Sequence, residues 1–87
     1  MNPVLKEKIA TYIFVQTCEF SEEGNWTIEF KEIEETFNIE LTKEMIVEIG
    51  KALYECFPKA MLDVTLTDTE FDIIIGYAFC LNNNEMI

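Results

Sequence analysis

The chain contains no histidine and no arginine. Histidine is the one side chain whose ordinary charge change falls near neutral pH, so acid–base chemistry would have to come from a shifted carboxylate, lysine, tyrosine or thiol. Arginine is the planar fork that grips phosphates and base edges with two bonds at once, and its absence argues against direct nucleic-acid binding. The three cysteines, Cys18, Cys56 and Cys80, are odd in number, widely spaced and make no C-x-x-C pair. They read as reduced thiols of a cytosolic protein and not as a disulfide framework. Their immediate neighbours include Glu19, Glu55 and Leu81 but no base that would create a thiolate, so buried structural thiols are expected. Gly24, Gly50 and Gly76 stand alone, which leaves no glycine-rich loop to cradle a phosphate. No apolar run approaches the roughly eighteen residues that a membrane span requires. The opening MNPVLKEKIA lacks the apolar stretch and cleavage site of a secretory signal.

What is present is core material and acid. Of 87 residues, 49% are apolar, and seven Phe, three Tyr and one Trp are among them. A chain of this length buries roughly 60–65% of its unfolded surface on folding, enough for one core without metal or disulfide support. A single domain is expected over residues 1–81, followed by a polar tail, 82–87.

Asn2-Pro3 reads as a helix N-cap followed by proline at the first helical position. Leu5, Ile9, Tyr12, Ile13 and Phe20 then recur at helical spacing, with Phe14, Val15 and Cys18 widening the stripe. Ser21-Glu22-Glu23-Gly24-Asn25 ends the helix as a loop. Trp26-Thr27-Ile28 has the aromatic and β-branched character of a short strand. Phe30, Ile33 and Phe37 mark a short helix, residues 38–41 a turn, and Thr42 the N-cap of a longer helix with Glu44 in its first turn. That helix carries Ile46, Ile49, Leu53 and Cys56/Phe57 on its core side and ends at Pro58. Met45 and Met61 are expected to be packing residues.

The last third alternates. Leu62, Val64 and Leu66 alternate with Asp63, Thr65 and Thr67, and after Asp68-Thr69 the residues Phe71, Ile73, Ile75, Tyr77 and Phe79 alternate in the same phase. Folding back at Asp68-Thr69 places Leu66 opposite Phe71, Val64 opposite Ile73 and Leu62 opposite Ile75, all on one face. Asp-Thr is not a preferred two-residue turn, so a slightly longer loop also fits. The fold class expected is α+β: three helices, a short strand and a C-terminal β-hairpin.

Seventeen acidic residues face six lysines, for a net charge of −11. Residues 19–48 hold ten of the acids and two lysines. Glu29/Glu32 and Glu32/Glu35 are like-charge pairs at helical neighbour spacing, with Glu34 beside them, and each such pair costs a few tenths of a kcal/mol. One reading is a solvated face that keeps a small protein soluble. The other is a binding surface for a basic partner, with carboxylates standing where phosphates would lie. On the second reading the partner-binding residues are Glu22, Glu23, Trp26, Glu29, Glu32, Glu35, Glu40, Glu44 and Glu48. Trp26 is either a core anchor of its strand or a hot spot at the rim of that surface, and Tyr54 poses the same choice on the polar side of its helix. The partner expected is a basic, nucleic-acid-binding protein. Neither nucleic acid itself nor a membrane is expected to bind, and a homodimer is the other association left open.

The order helix, short strand, helix, turn, helix, hairpin resembles the winged-helix fold from Trp26 to about Phe79. The resemblance makes Trp26-Thr27-Ile28 the first strand, residues 30–37 the positioning helix, residues 42–57 the recognition helix and the hairpin the wing. In that role the outward face of the recognition helix shows Lys43, Glu44, Val47, Glu48, Lys51, Tyr54 and Glu55, and the wing shows Asp63, Asp68, Glu70 and Asp72 without a lysine. This is a poor DNA-reading surface, so the resemblance implies a winged-helix module used for protein contacts. In size and charge the chain is also similar to the small acidic inhibitors of phages and bacteria, such as anti-CRISPR and anti-restriction proteins and nuclease immunity proteins. Together these point to a non-catalytic inhibitor, with an interaction or dimerisation module as the alternative.

No catalytic residue, cofactor or metal site is expected. Asp68-Thr69-Glu70-Phe71-Asp72 has the alternating acids of a calcium loop. It has Ile73 where the sixth-position glycine belongs and Phe79 where the closing glutamate belongs.

Overall fold

A computed structural model describes residues 1–21 and 24–75. The first helix, α1, spans Pro3–Phe20. Asn2 caps it: the side-chain oxygen accepts from the amides of Val4 at 2.8 Å and Leu5 at 3.3 Å, and Pro3 takes the first turn. Ile9, Ala10, Ile13 and Thr17 form its buried side. The Thr17 hydroxyl satisfies itself by donating to the Ile13 carbonyl at 2.8 Å, which lets a polar residue sit fully buried. The wide stripe expected for this helix is only partly realised. Phe14 and Cys18 are half-buried, with Phe14 stacked on Phe57 at 3.9 Å, but Val15 and Phe20 are exposed.

Strand β1 runs Asn25–Glu29, helix α2 Phe30–Phe37 and helix α3 Lys43–Cys56. Asn38 takes the left-handed conformation that ends α2 (φ 54°), a position where Asn is at home. Glu34 then organises the α2–α3 turn. Its carbonyl accepts from Ile39 at 3.1 Å, and its carboxylate accepts from the Leu41 amide at 2.8 Å. Thr42 caps α3 by accepting from Met45 at 3.2 Å. Ile49, Gly50, Ala52 and Leu53 are buried along α3, which packs chiefly against α1. Pro58 begins a 3₁₀ turn, Pro58–Ala60, and Met61 leaves it at φ 54°.

Strands β2 (Asp63–Leu66) and β3 (Glu70–Ile74) form the hairpin, and β1 pairs antiparallel with β3 from the other side, giving the order β1-β3-β2. Leu66 lies opposite Phe71 and Val64 opposite Ile73, as the alternation requires. Residues 67–69 connect the two strands, with Asp68 and Thr69 at the turn itself. Neither has positive φ, so this is not the primed turn that short hairpins favour. Thr67 compensates. Its amide donates to the Glu70 carbonyl at 3.0 Å, while its hydroxyl accepts from the Glu70 amide at 3.1 Å and the Thr69 amide at 3.3 Å.

The core lies between the sheet's inner face and the helices. Ile9, Ile13, Ile28, Ile33, Ile49, Leu53, Phe71, Ile73 and Ile75 are its largest buried apolar side chains. Phe71 on the central strand meets Phe30 edge-to-face at 5.0 Å. Gly24 ties β1 to β3 at the far end. Its carbonyl accepts from the Ile75 amide at 2.8 Å, its φ is +81°, and a Cβ there would lie 2.4 Å from the Ile75 oxygen.

Three packing expectations need correction. Met61 is 81% exposed, because its left-handed backbone turns the side chain off the core before β2 begins. Cys56 is exposed at the last turn of α3, where the core position passes to Phe57. Leu66, at the hairpin tip, is 42% exposed although its partner Phe71 is fully buried. The remainder of the alternation through Tyr77 and Phe79, Cys80, and the tail 82–87 lie outside the described residues.

Candidate interaction surface

Side chains alternate across a strand, so the register assigns each residue of the sheet to a face. Trp26 and Ile28 of β1, Phe71 and Ile73 of β3, and Val64 of β2 point inward. The outer face consists of three cross-strand rows: Asn25, Ile74 and Asp63; then Thr27, Asp72 and Thr65; then Glu29 and Glu70. Four of these eight residues are carboxylates and none is basic. The row of Thr27 and Asp72 is joined by a hydrogen bond from the threonine hydroxyl to the aspartate at 2.8 Å.

Glu29 and Glu70 are directly opposed. The flanking pairs exchange the ladder hydrogen bonds, as Phe30 donating to Thr69 at 2.8 Å shows, so Glu29 and Glu70 form the closer, non-hydrogen-bonded kind of pair. Like charges so placed destabilise a sheet. No lysine pairs with either carboxylate among the described residues. Nor do the four carboxylates converge as a cation site would: no group of three or more His, Cys, Asp or Glu is placed to hold a metal among the described residues. They spread over a surface.

The residues expected to bind a partner are distributed as follows. Glu22 and Glu23 lie outside the described residues. Glu29 belongs to the sheet face. Glu32 and Glu35 occupy the exposed side of α2, with the Glu32 carboxylate accepting from the Tyr12 hydroxyl at 3.1 Å. Glu40 is exposed in the α2–α3 turn, and Glu44 in the first turn of α3. Glu48 points back to the amino group of Met1 at 3.3 Å. Trp26 is half-buried on the inner side of β1, the side opposite Glu29, with its ring 5.7 Å from that of Phe20. Its indole Nε1 is buried and has no hydrogen-bond partner among the described residues.

Asp63, Glu70 and Asp72 were legible as solvent-facing strand positions. Their union with Glu29 was not, because it depends on which edge of the hairpin β1 joins. Tyr54 also gains a definite role: its hydroxyl accepts from the Val64 amide at 2.8 Å and so covers part of the outer edge of β2. On the other side of the hairpin tip, Phe30, Lys43, Ile46, Val47, Leu66 and Asp68 line a shallow open groove of about 270 Å³. No helix among the described residues is long and apolar enough to cross a membrane. Comparison with protein families, curated proteins and solved structures returned no match.

Proposed function

We propose that this chain is a non-catalytic, acidic inhibitor that binds a basic, nucleic-acid-handling protein, its carboxylates standing in for a phosphate backbone, in the manner of anti-CRISPR or anti-restriction proteins. The observation that carries the reading is the outer face of the sheet, where Glu29, Asp63, Glu70 and Asp72 share one surface without a basic residue. A face that served only solubility would gain stability from a lysine at either member of the opposed Glu29–Glu70 pair. A face selected to meet positive charge retains the repulsion because it strengthens steering and contact. Glu32 and Glu35 on α2 extend the negative potential beyond the sheet.

The test is affinity capture from host lysate on the immobilised native chain and on a Glu29→Lys/Asp72→Lys double variant, at low and high salt. Retention of basic nucleic-acid-binding enzymes by the native chain alone, released by salt, supports the reading. An identical set of proteins on both chains, or retention indifferent to salt, sinks it.

A second reading has its own support. Val47 and Leu66, 45% and 42% exposed, border the groove beside the hairpin tip, with Phe30 and Ile46 at its floor. A winged-helix-like interaction or dimerisation module would associate through that apolar patch. Such association would persist at high salt and weaken on Val47→Asp.

A further inference from the structure

Antiparallel pairing leaves alternate backbone groups of an edge strand facing away from the sheet. In β1, residues 26 and 28 bond to β3, so the amides of Thr27 and Glu29 and the carbonyls of Asn25 and Thr27 point outward. No hydrogen bond is made to them among the described residues, and all three residues are exposed. The opposite edge differs, because the Tyr54 hydroxyl already takes the Val64 amide of β2. The open edge is flanked on its outer side by Glu29, Asp72 and Glu70, and on its inner side by Trp26 with the 52%-exposed ring of Phe20 resting against it.

We propose that the β1 edge receives an extended segment of the partner as a fourth strand, with lysine or arginine at its outer-facing positions and apolar side chains at its inner-facing ones. This deepens the reading above and rests on it, since it takes the partner to be a basic protein. Main-chain hydrogen bonds to Thr27 and Glu29 supply register, and alternate side chains supply specificity. The five residues of β1 offer about 17 Å of edge before α2 begins at Phe30. An outer-facing cation beside Thr27 or Glu29 lies two strand spacings, about 10 Å, from the backbone of β3. Its long side chain and those of Glu70 and Asp72 close that gap. Inner-facing apolar residues lie against Trp26 and Phe20. A second copy of this chain is the poorer occupant. Joining β1 to β1 would merge two outer faces of four carboxylates each, between chains of net charge −11.

The probe is the blocked heptapeptide Lys-Val-Lys-Val-Lys-Val-Lys, titrated against the native chain with the fluorescence of Trp26, the only tryptophan and a residue of the strand itself. Two controls accompany it. One is the same composition in block order, four lysines then three valines. The other is a pair of peptides N-methylated at the lysine amides or at the valine amides. The alternating peptide is expected to bind about tenfold or more tighter than the block peptide, and one of the two methylated peptides to lose that advantage. Thr27→Pro, which removes an outward-facing amide from an edge position where proline is tolerated, is expected to abolish the same advantage. The methylated peptides decide the matter if that variant fails to fold.

Equal binding of alternating and block peptides, still weakened by salt, overturns edge addition while leaving the acidic-face reading intact. Binding of neither peptide at low salt overturns both. A dimer of the native chain in sedimentation that Thr27→Pro dissociates would assign the edge to a second copy and overturn the proposal.

Discussion

The two edges of the three-stranded sheet are treated differently. On β2 a side chain from another element, Tyr54 of α3, places its hydroxyl on an outward amide, that of Val64. On β1 the outward amides of Thr27 and Glu29 have no hydrogen-bond partner among the described residues, and the adjoining face carries Glu29 opposed to Glu70. Unpaired edges invite association, and proteins commonly blunt them with charge or cover them. Here one edge is partly covered and the other is guarded by charge of a single sign. Under the proposal above, negative charge repels a second copy and attracts a basic strand, so the β1 edge would discriminate by charge, whereas the β2 edge carries the Tyr54 hydrogen bond.

The comparison breaks most severely at Gly24. Alanine there must adopt φ +81° and place its Cβ 2.4 Å from the Ile75 oxygen. The conformation alone costs about 1–3 kcal/mol, and the clash adds to it. Gly24→Ala is expected to loosen β1 from β3 while leaving the hairpin paired. Amide exchange would then quicken at Trp26 and Ile28 more than at Thr65, and uniform quickening across all three strands would contradict the prediction.

A smaller effect is expected from Tyr54→Phe, which deletes the hydroxyl on Val64. A net hydrogen bond is worth roughly 0.5–1.5 kcal/mol, and exposure puts this one at the low end. Exchange of the Val64 amide should quicken with the β1 amides unchanged. If Val64 stays as protected as in the native chain, the β2 edge is not shielded in this way.

The smallest change sharpens the contrast in the other direction. Glu29→Lys turns a like-charge cross-strand pair into an attractive one, a gain of roughly 0.2–1 kcal/mol visible as a higher urea midpoint. The same substitution is expected to weaken binding of a basic partner. A variant that is both more stable and equally competent to bind would identify the outer face as mere solvated surface.

Much of the architecture was legible because its causes are local. Asn2-Pro3 and Thr42 announce their helices through caps that involve residues two or three positions away. Pro58 closes α3 where its missing amide dictates. The hairpin register followed from alternation, since a slip of one residue would turn Phe71 and Ile73 out of the core. The choice of Asp68-Thr69 as the turn looked weak because the compensating group, the Thr67 hydroxyl, lies outside the two turn residues. Helical spacing puts Cys56 on the core stripe and residue type makes Met61 a packing residue, yet both are exposed. Each sits where a helix or 3₁₀ turn is ending and its direction is set by the chain's departure.

The candidate surface was legible only in pieces. The concentration of acid in residues 19–48 was evident, but its described members divide among three helices, a strand and a turn, and Trp26 lies on the inner side of the strand whose outer side carries Glu29. Composition and periodicity by themselves determined the sign of the charge, the want of histidine and arginine, the three helices and the hairpin, because each depends on residue identity or on neighbours within a few positions. Tertiary structure alone decided that β1 joins β3, so that Glu29 meets Glu70 across 41 positions of sequence, and that Tyr54 serves β2 while no described residue bonds to the outer edge of β1. Those outcomes depend on how the inner faces of distant segments share one core, and no local pattern specifies which edge of a hairpin a third strand will take.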